Sequence, residues 1–134
     1  MKLIGLDNKV YQLDLRATQY PMRSEIACRS NLQYKCGRIL KQFFPFDLIL
    51  EDFAVPGHGF YFDFFLPKQK LVVEIQGEQH SQYVPFFHKS EKNFKSSLIR
   101  DMKKIKLCER NDIIIITAET PKELEQKVNQ IWKN

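Results

Sequence analysis

The chain has 134 residues, 43% of them hydrophobic, with eleven Phe and five Tyr. That is enough apolar material for one core in a single domain, and it excludes a disordered chain. The formal net charge of +5 is modest, no run of about 18 apolar residues offers a membrane span, and residues 1–7 lack the apolar stretch of a signal peptide. Three cysteines, an odd number, argue against a disulfide framework. The expectation is a soluble, intracellular protein in a reducing cytoplasm, with a bacterial, phage, mobile-element or repair setting equally compatible.

In chain order, residues 3–6 and 10–15 around Asp7-Asn8 read as a short β-hairpin. Residues 24–44 read as a helix whose apolar stripe is Leu32, Cys36, Ile39, Leu40 and Phe43. Cys28 and Cys36, eight apart, read as core residues of that helix rather than ligands. Pro45 ends it, residues 46–55 are extended, and Pro56-Gly57-His58-Gly59 signals a turn. Residues 60–66 and 71–76 read as strands, and residues 79–87 as irregular. Residues 90–110 read as a second helix with Phe94, Leu98, Met102 and Ile105 inward. Residues 113–117 form a β-branched run, the mark of a strand buried on both faces. Thr120, Pro121 and Glu123 open a last helix as cap, first-turn proline and capping-box acid, with Leu124, Val128 and Ile131 as its apolar face. The interleaving predicts an α/β (α+β) domain with a mixed central β-sheet flanked by helices. One domain covers 1–134, with the hairpin of residues 1–20 as an extension of a core at 21–134.

From Lys89 to Arg110 stand eight bases against three acids, an excess equal to that of the whole chain. Lys95, Arg100, Lys103, Lys104, Lys106 and Arg110 are the candidates for tracking a phosphate backbone; a solvated helix face is the plainer account of the same run. Asp101 among them reads as an ion-pair partner. His58 and His88 have no metal-ligand spacing with the cysteines, which argues against zinc. Tyr83, Phe86 and Phe87 are available to stack on or wedge between bases, or to pack in the core.

The chemistry concentrates in residues 60–80. If the two strands join by a tight turn centred on Lys68-Gln69, opposed residues have numbers summing to 137. Asp63 then faces Glu74 and Tyr61 faces Gln76, while Phe62, Phe64 and Leu66 share the other, apolar face with Leu71, Val73 and Ile75. Two carboxylates so opposed have Cβ atoms roughly 5 Å apart and repel. A hard divalent cation such as Mg²⁺ relieves that repulsion, because it takes one or two protein carboxylates and leaves its other positions to water and phosphate. The alternative is a pair of surface acids on an edge hairpin, relieved by Lys68 and Lys70. Beyond Glu74, the run Gln76-Gly77-Glu78-Gln79-His80 gathers polar groups at a strand end, and Gly77 permits a sharp exit.

Asp63, a short hairpin, then Glu74-Ile75-Gln76 resembles the signature of the PD-(D/E)XK nuclease superfamily. The wider string Asp-Phe-Phe-Leu-Pro through Leu-Val-Val-Glu-Ile-Gln-Gly-Glu-Gln-His looks like its branch related to very-short-patch-repair endonucleases, followed as there by a basic helix and an apolar strand. The resemblance covers residues 24–117 and implies a restriction-endonuclease-like fold. It implies Mg²⁺, replaceable by Mn²⁺, on Asp63, Glu74 and the backbone carbonyl of Ile75, and hydrolysis of DNA, duplex or branched, by metal-activated water. Glu25 stands where the branch often has a Glu near its first helix; it either completes the metal shell or favours the helix dipole. His80 is either a general acid–base or a structural residue. One departure is Gln76 in place of the usual Lys: an amide orients water but carries no charge. Gln76 therefore also fits a non-catalytic nucleic-acid-binding module with the same fold, and an accessory subunit of a larger nuclease or transposase complex is a third reading. A monomer that nicks and a homodimer that cuts both strands both remain open.

Overall fold

The structure, a computed structural model, describes residues 1–76 and 91–132. Its elements are β1 (Lys2–Ile4), β2 (Val10–Gln12), α1 (Asn31–Phe43), β3 (Leu50–Ala54), β4 (Tyr61–Leu66), β5 (Leu71–Ile75), α2 (Glu91–Arg110), β6 (Ile114–Ala118) and α3 (Pro121–Trp132). The fold is mixed α and β: a four-stranded sheet in the order β3-β4-β5-β6, a separate β1-β2 hairpin, and three helices among the described residues. β3, β4 and β5 run antiparallel, and β6 joins β5 in parallel after the crossover that parallel pairing demands. Among the described residues no helix is long and apolar enough to cross a membrane.

The sheet is buried on both faces. On one side Leu66, Leu71, Val73 and Phe64 pack with Cys36 and Leu40 of α1 and Leu124 and Val128 of α3. On the other side Phe65, Val72 and Phe53 pack with Leu107 and Cys108 of α2 and with Leu3 and Leu13 around the hairpin. Gly37 marks the close approach of α1 to β4, since a Cβ there would lie 3.0 Å from the Phe64 ring. The hairpin is tied in by His58, whose Nε2 accepts from the Leu6 N–H at 3.0 Å while Nδ1 lies 2.8 Å from the Pro56 carbonyl. Both ring nitrogens are thus engaged locally.

Several elements depart from the expected bounds and faces. α1 begins at Asn31, not at residue 24, because Ser30 caps it: its Oγ accepts from the Gln33 N–H at 3.0 Å. Cys28 therefore precedes the helix and donates to Glu51 instead. Ser30→Ala is expected to cost about 1 kcal/mol of stability, read from a urea melt. β3 starts only at Leu50, and Phe46 is exposed in the turn after Pro45. Phe62 does not share a face with Phe64; it packs with Phe53, Phe60 and Phe65. The alternation breaks there, beside Asp52, whose φ of 52° lies in the left-handed region. β6 is an edge strand, so Ile114 is exposed rather than buried on both sides. In α3, Thr120 caps as expected, but Glu123 reaches back to the Glu119 N–H, and Ile131 is exposed.

The largest correction concerns α2. Leu98, Met102 and Ile105 face solvent, and Lys104, Leu107 and Cys108 face the sheet. The Phe94 side chain lies outside the described residues.

Candidate active site

The hairpin register is the one that places Asp63 beside Glu74. Leu66 pairs with Leu71, Phe65 with Val72 and Phe64 with Val73, around a four-residue turn closed by the Lys70 N–H on the Pro67 carbonyl. The backbone ladder stops at Phe64, and side chains continue it. Asp63 donates its N–H to Glu74 Oε2 at 2.8 Å, and Ile75 donates its N–H to Asp63 Oδ2 at 2.8 Å. Each carboxylate thus holds the backbone of the opposite strand. Where β4 and β5 part, their ends open into a cavity of about 420 Å³.

β4 and β5 are the inner strands of the sheet, so these acids do not sit on an edge hairpin. Lys68 pairs with Asp47 at 3.5 Å and gives them no relief. The relief comes from elsewhere in the chain. Lys104, buried on the inward face of α2, makes a direct ion pair with Glu74 Oε1. Arg29, just before α1, lies 3.9 Å from Asp63 Oδ1, and its guanidinium stacks over the Tyr61 ring. A third acid completes the row, because the β3–β4 register puts Asp52 opposite Asp63. Asp52 is held by Arg23 at 2.9 Å and Arg29 at 3.5 Å.

The cations do not fully offset the burial. Burial first, and then the negative charge of Asp63, push the Glu74 carboxyl up to about 7 against the pull of Lys104. Burial also raises Asp63, with Asp52 adding to the rise and the Ile75 N–H, Lys104 and Arg29 opposing it. Such a pair still carries an unmet demand for positive charge. Asp63 Oδ1 has no hydrogen-bond donor among the described residues, and each Glu74 oxygen accepts one bond. The lone pairs that the described residues leave open, and their oxygen chemistry, fit a hard divalent cation supported by two carboxylates and a carbonyl. No group of three or more His, Cys, Asp or Glu side chains in metal-binding geometry occurs among the described residues.

The other predicted residues divide. Ile75 and Gln76 line the cavity, and the Gln76 N–H donates to the Ala118 carbonyl at 2.9 Å, tying that strand end to β6. Arg100 lines the same cavity. Lys103, again with Arg100, borders a smaller cavity of about 200 Å³ beside Gly59. Asp101, expected in an ion pair, lines the main cavity. Lys104 is not on the solvent face but inside, against Glu74. Arg110 donates to the Gly5 carbonyl at 2.8 Å, while Lys95 and Lys106 are exposed. Glu25 stands exposed in a turn and does not reach the cavity, since the helix it was expected to open starts six residues later. Gly77, Glu78, His80, Tyr83, Phe86, Phe87 and His88 lie outside the described residues.

Arg29, Gln33 and Asp52 were not anticipated. Gln33 donates to Glu51 Oε2 at 2.9 Å, and Glu51 also accepts from the Arg23 N–H at 2.8 Å. This network fixes the chain entering α1, and so places Arg29. No local pattern announces these residues, because their meeting depends on the β3–β4 register. Burial pushes the thiols of Cys36 and Cys108 up to about 11 and about 12, and both are core residues.

Comparison with known proteins adds little. No family model matches the chain, and no solved structure matches it. Over 54 residues, 40% of the chain, it is 39% identical to the uncharacterized protein 307L of Invertebrate iridescent virus 6. The match spans 27% of that protein's length.

Proposed function

We propose that the chain is a metal-dependent DNA endonuclease with a restriction-endonuclease-like arrangement of its mixed sheet. The observation that carries this reading is the pairing of Asp63 with Glu74 across the inner strands, at a cavity also lined by Arg29, Arg100 and Lys104. Mg²⁺, or Mn²⁺ in its place, would be held by Asp63, Glu74 and the Ile75 carbonyl, and would supply Lewis acidity and a more acidic water. Arg29 and Arg100 meet the phosphate, since guanidinium groups suit its oxygens. Lys104 supplies the positive charge that Gln76 lacks in the motif, from a different element. Gln76, uncharged at the cavity, orients water. Lys103 and Lys106 on α2 extend the positive field along the nucleic acid.

A second reading has its own support. The ion pair of Lys104 with Glu74 already offsets part of the charge from within the chain, as a non-catalytic DNA-binding module would require. Cleavage decides between them. Labelled linear, nicked and four-way-junction DNA would be incubated in Mg²⁺, Mn²⁺ or EDTA with the wild type and Asp63→Asn. The expected result is metal-dependent cutting, reduced about a hundred-fold or more in Asp63→Asn, with binding retained. DNA bound but left intact in both metals would establish the binding module instead.

A further inference from the structure

The face of α2 turned away from the main cavity carries Leu98, Met102 and Ile105, which are 41%, 56% and 41% exposed. Leu98, Met102 and Ile105 follow the four-then-three spacing of a coiled-coil seam. The next positions on that seam are Lys95 at one end and Glu109 at the other, both exposed. An apolar centre thus ends in opposite charges.

Such a seam complements itself in one direction only. Laid parallel on a second copy, Lys95 meets Lys95 and Glu109 meets Glu109. Laid antiparallel about Met102, Met102 packs on its own copy and Leu98 lies beside the second copy's Ile105. Lys95 then faces the second copy's Glu109 at both ends. Charge and apolar contacts agree on that arrangement alone. It also leaves the cavity free, because Arg100, Asp101 and Lys104 lie on the other side of the helix.

We propose that the exposed face of α2 binds a second copy of this chain as an antiparallel helix pair centred on Met102. The proposal does not rest on nuclease activity. Sedimentation velocity of the full chain over a dilution series in low salt tests it. The wild type is expected to pass from monomer to dimer with concentration. Lys95→Glu and Glu109→Lys each weaken the dimer roughly five-fold, because each turns two attractions into two repulsions. The double variant, which restores opposite charges at both ends, recovers it, and Met102→Lys abolishes it. All three positions are exposed, so the fold is kept, as a thermal melt would verify. A wild type that stays monomeric throughout overturns the proposal. So does a double variant no stronger than the singles, or a Met102→Lys that dimerises normally.

Discussion

Lys104→Met is expected to destabilise the fold more at pH 8 than at pH 5, by about 1.4 kcal/mol at most, because only the pH range above the Glu74 carboxyl's value of about 7 contributes. Lys104 and Glu74 side chains are 10% and 8% exposed, so removing the cation leaves a buried carboxylate with the Asp63 N–H but no close positive charge. Breaking a buried pair from one side costs roughly 3–5 kcal/mol. Glu74 has an escape, however, since it can take up a proton. Its carboxyl already stands at about 7 with Lys104 present, and losing Lys104 raises it further. In acid the variant therefore buries a neutral group and loses little. At pH 8 it must either bury a charge or keep that proton against the solution, and it loses more. Methionine keeps the unbranched stem and loses the ammonium that lies over the Phe60 and Tyr61 rings, so lost packing contributes little. Urea melts at the two pH values read the difference. A cost equal at both would mean that the pair matters only for packing.

The second large effect belongs to Glu74 itself. The unfolded chain titrates this group near the ordinary 4.5, and the folded chain near 7. Between those values the folded state keeps a proton that the unfolded state has released. The stabilising contribution is therefore complete below about 4.5 and is lost as pH rises through 7. At 1.36 kcal/mol per pKa unit the loss is about 3 kcal/mol. The measurement compares wild type with Glu74→Gln from pH 4 to 8. The variant differs by a constant offset, because its amide cannot serve both the Asp63 N–H and Lys104, but its stability should lack this fall. Mg²⁺ provides a separate reading. A cation on ionised Asp63 and Glu74 displaces that proton, so its stabilisation should grow with pH. A fixed Mg²⁺ concentration is expected to raise Tm at pH 8 and to leave it unchanged at pH 5. An equal rise at both would place the ion away from Glu74.

The hairpin at the centre of the site was legible because its information is local. A short turn between two alternating segments sets which residues oppose one another, so the sum of 137 followed from Lys68-Gln69 and from the need to keep Phe64, Leu66, Leu71 and Val73 on one apolar face. The stop at Pro45 and the cap at Thr120 were local in the same sense. The start of α1 was also written locally, in Ser30, but a long apolar stripe drew the helix back over it. That error gave Glu25 a place at the site that the turn around it denies.

Side-chain pattern alone determined that Asp63 and Glu74 face each other, that Cys36 packs in the core, and that helices and strands alternate around a mixed sheet. It could not decide what neutralises the two acids. Arg29 and Lys104 lie 34 residues before Asp63 and 30 residues after Glu74 in the chain, and only the packing of the α1 entry and of α2 on the sheet brings them there. Which face of α2 turns inward was likewise a tertiary outcome. Periodicity finds an apolar stripe at Leu98, Met102 and Ile105, but the sheet end offers a buried carboxylate, and burying that charge without a partner costs more than exposing three apolar side chains. The helix turns Lys104 to Glu74 and leaves its apolar stripe outside.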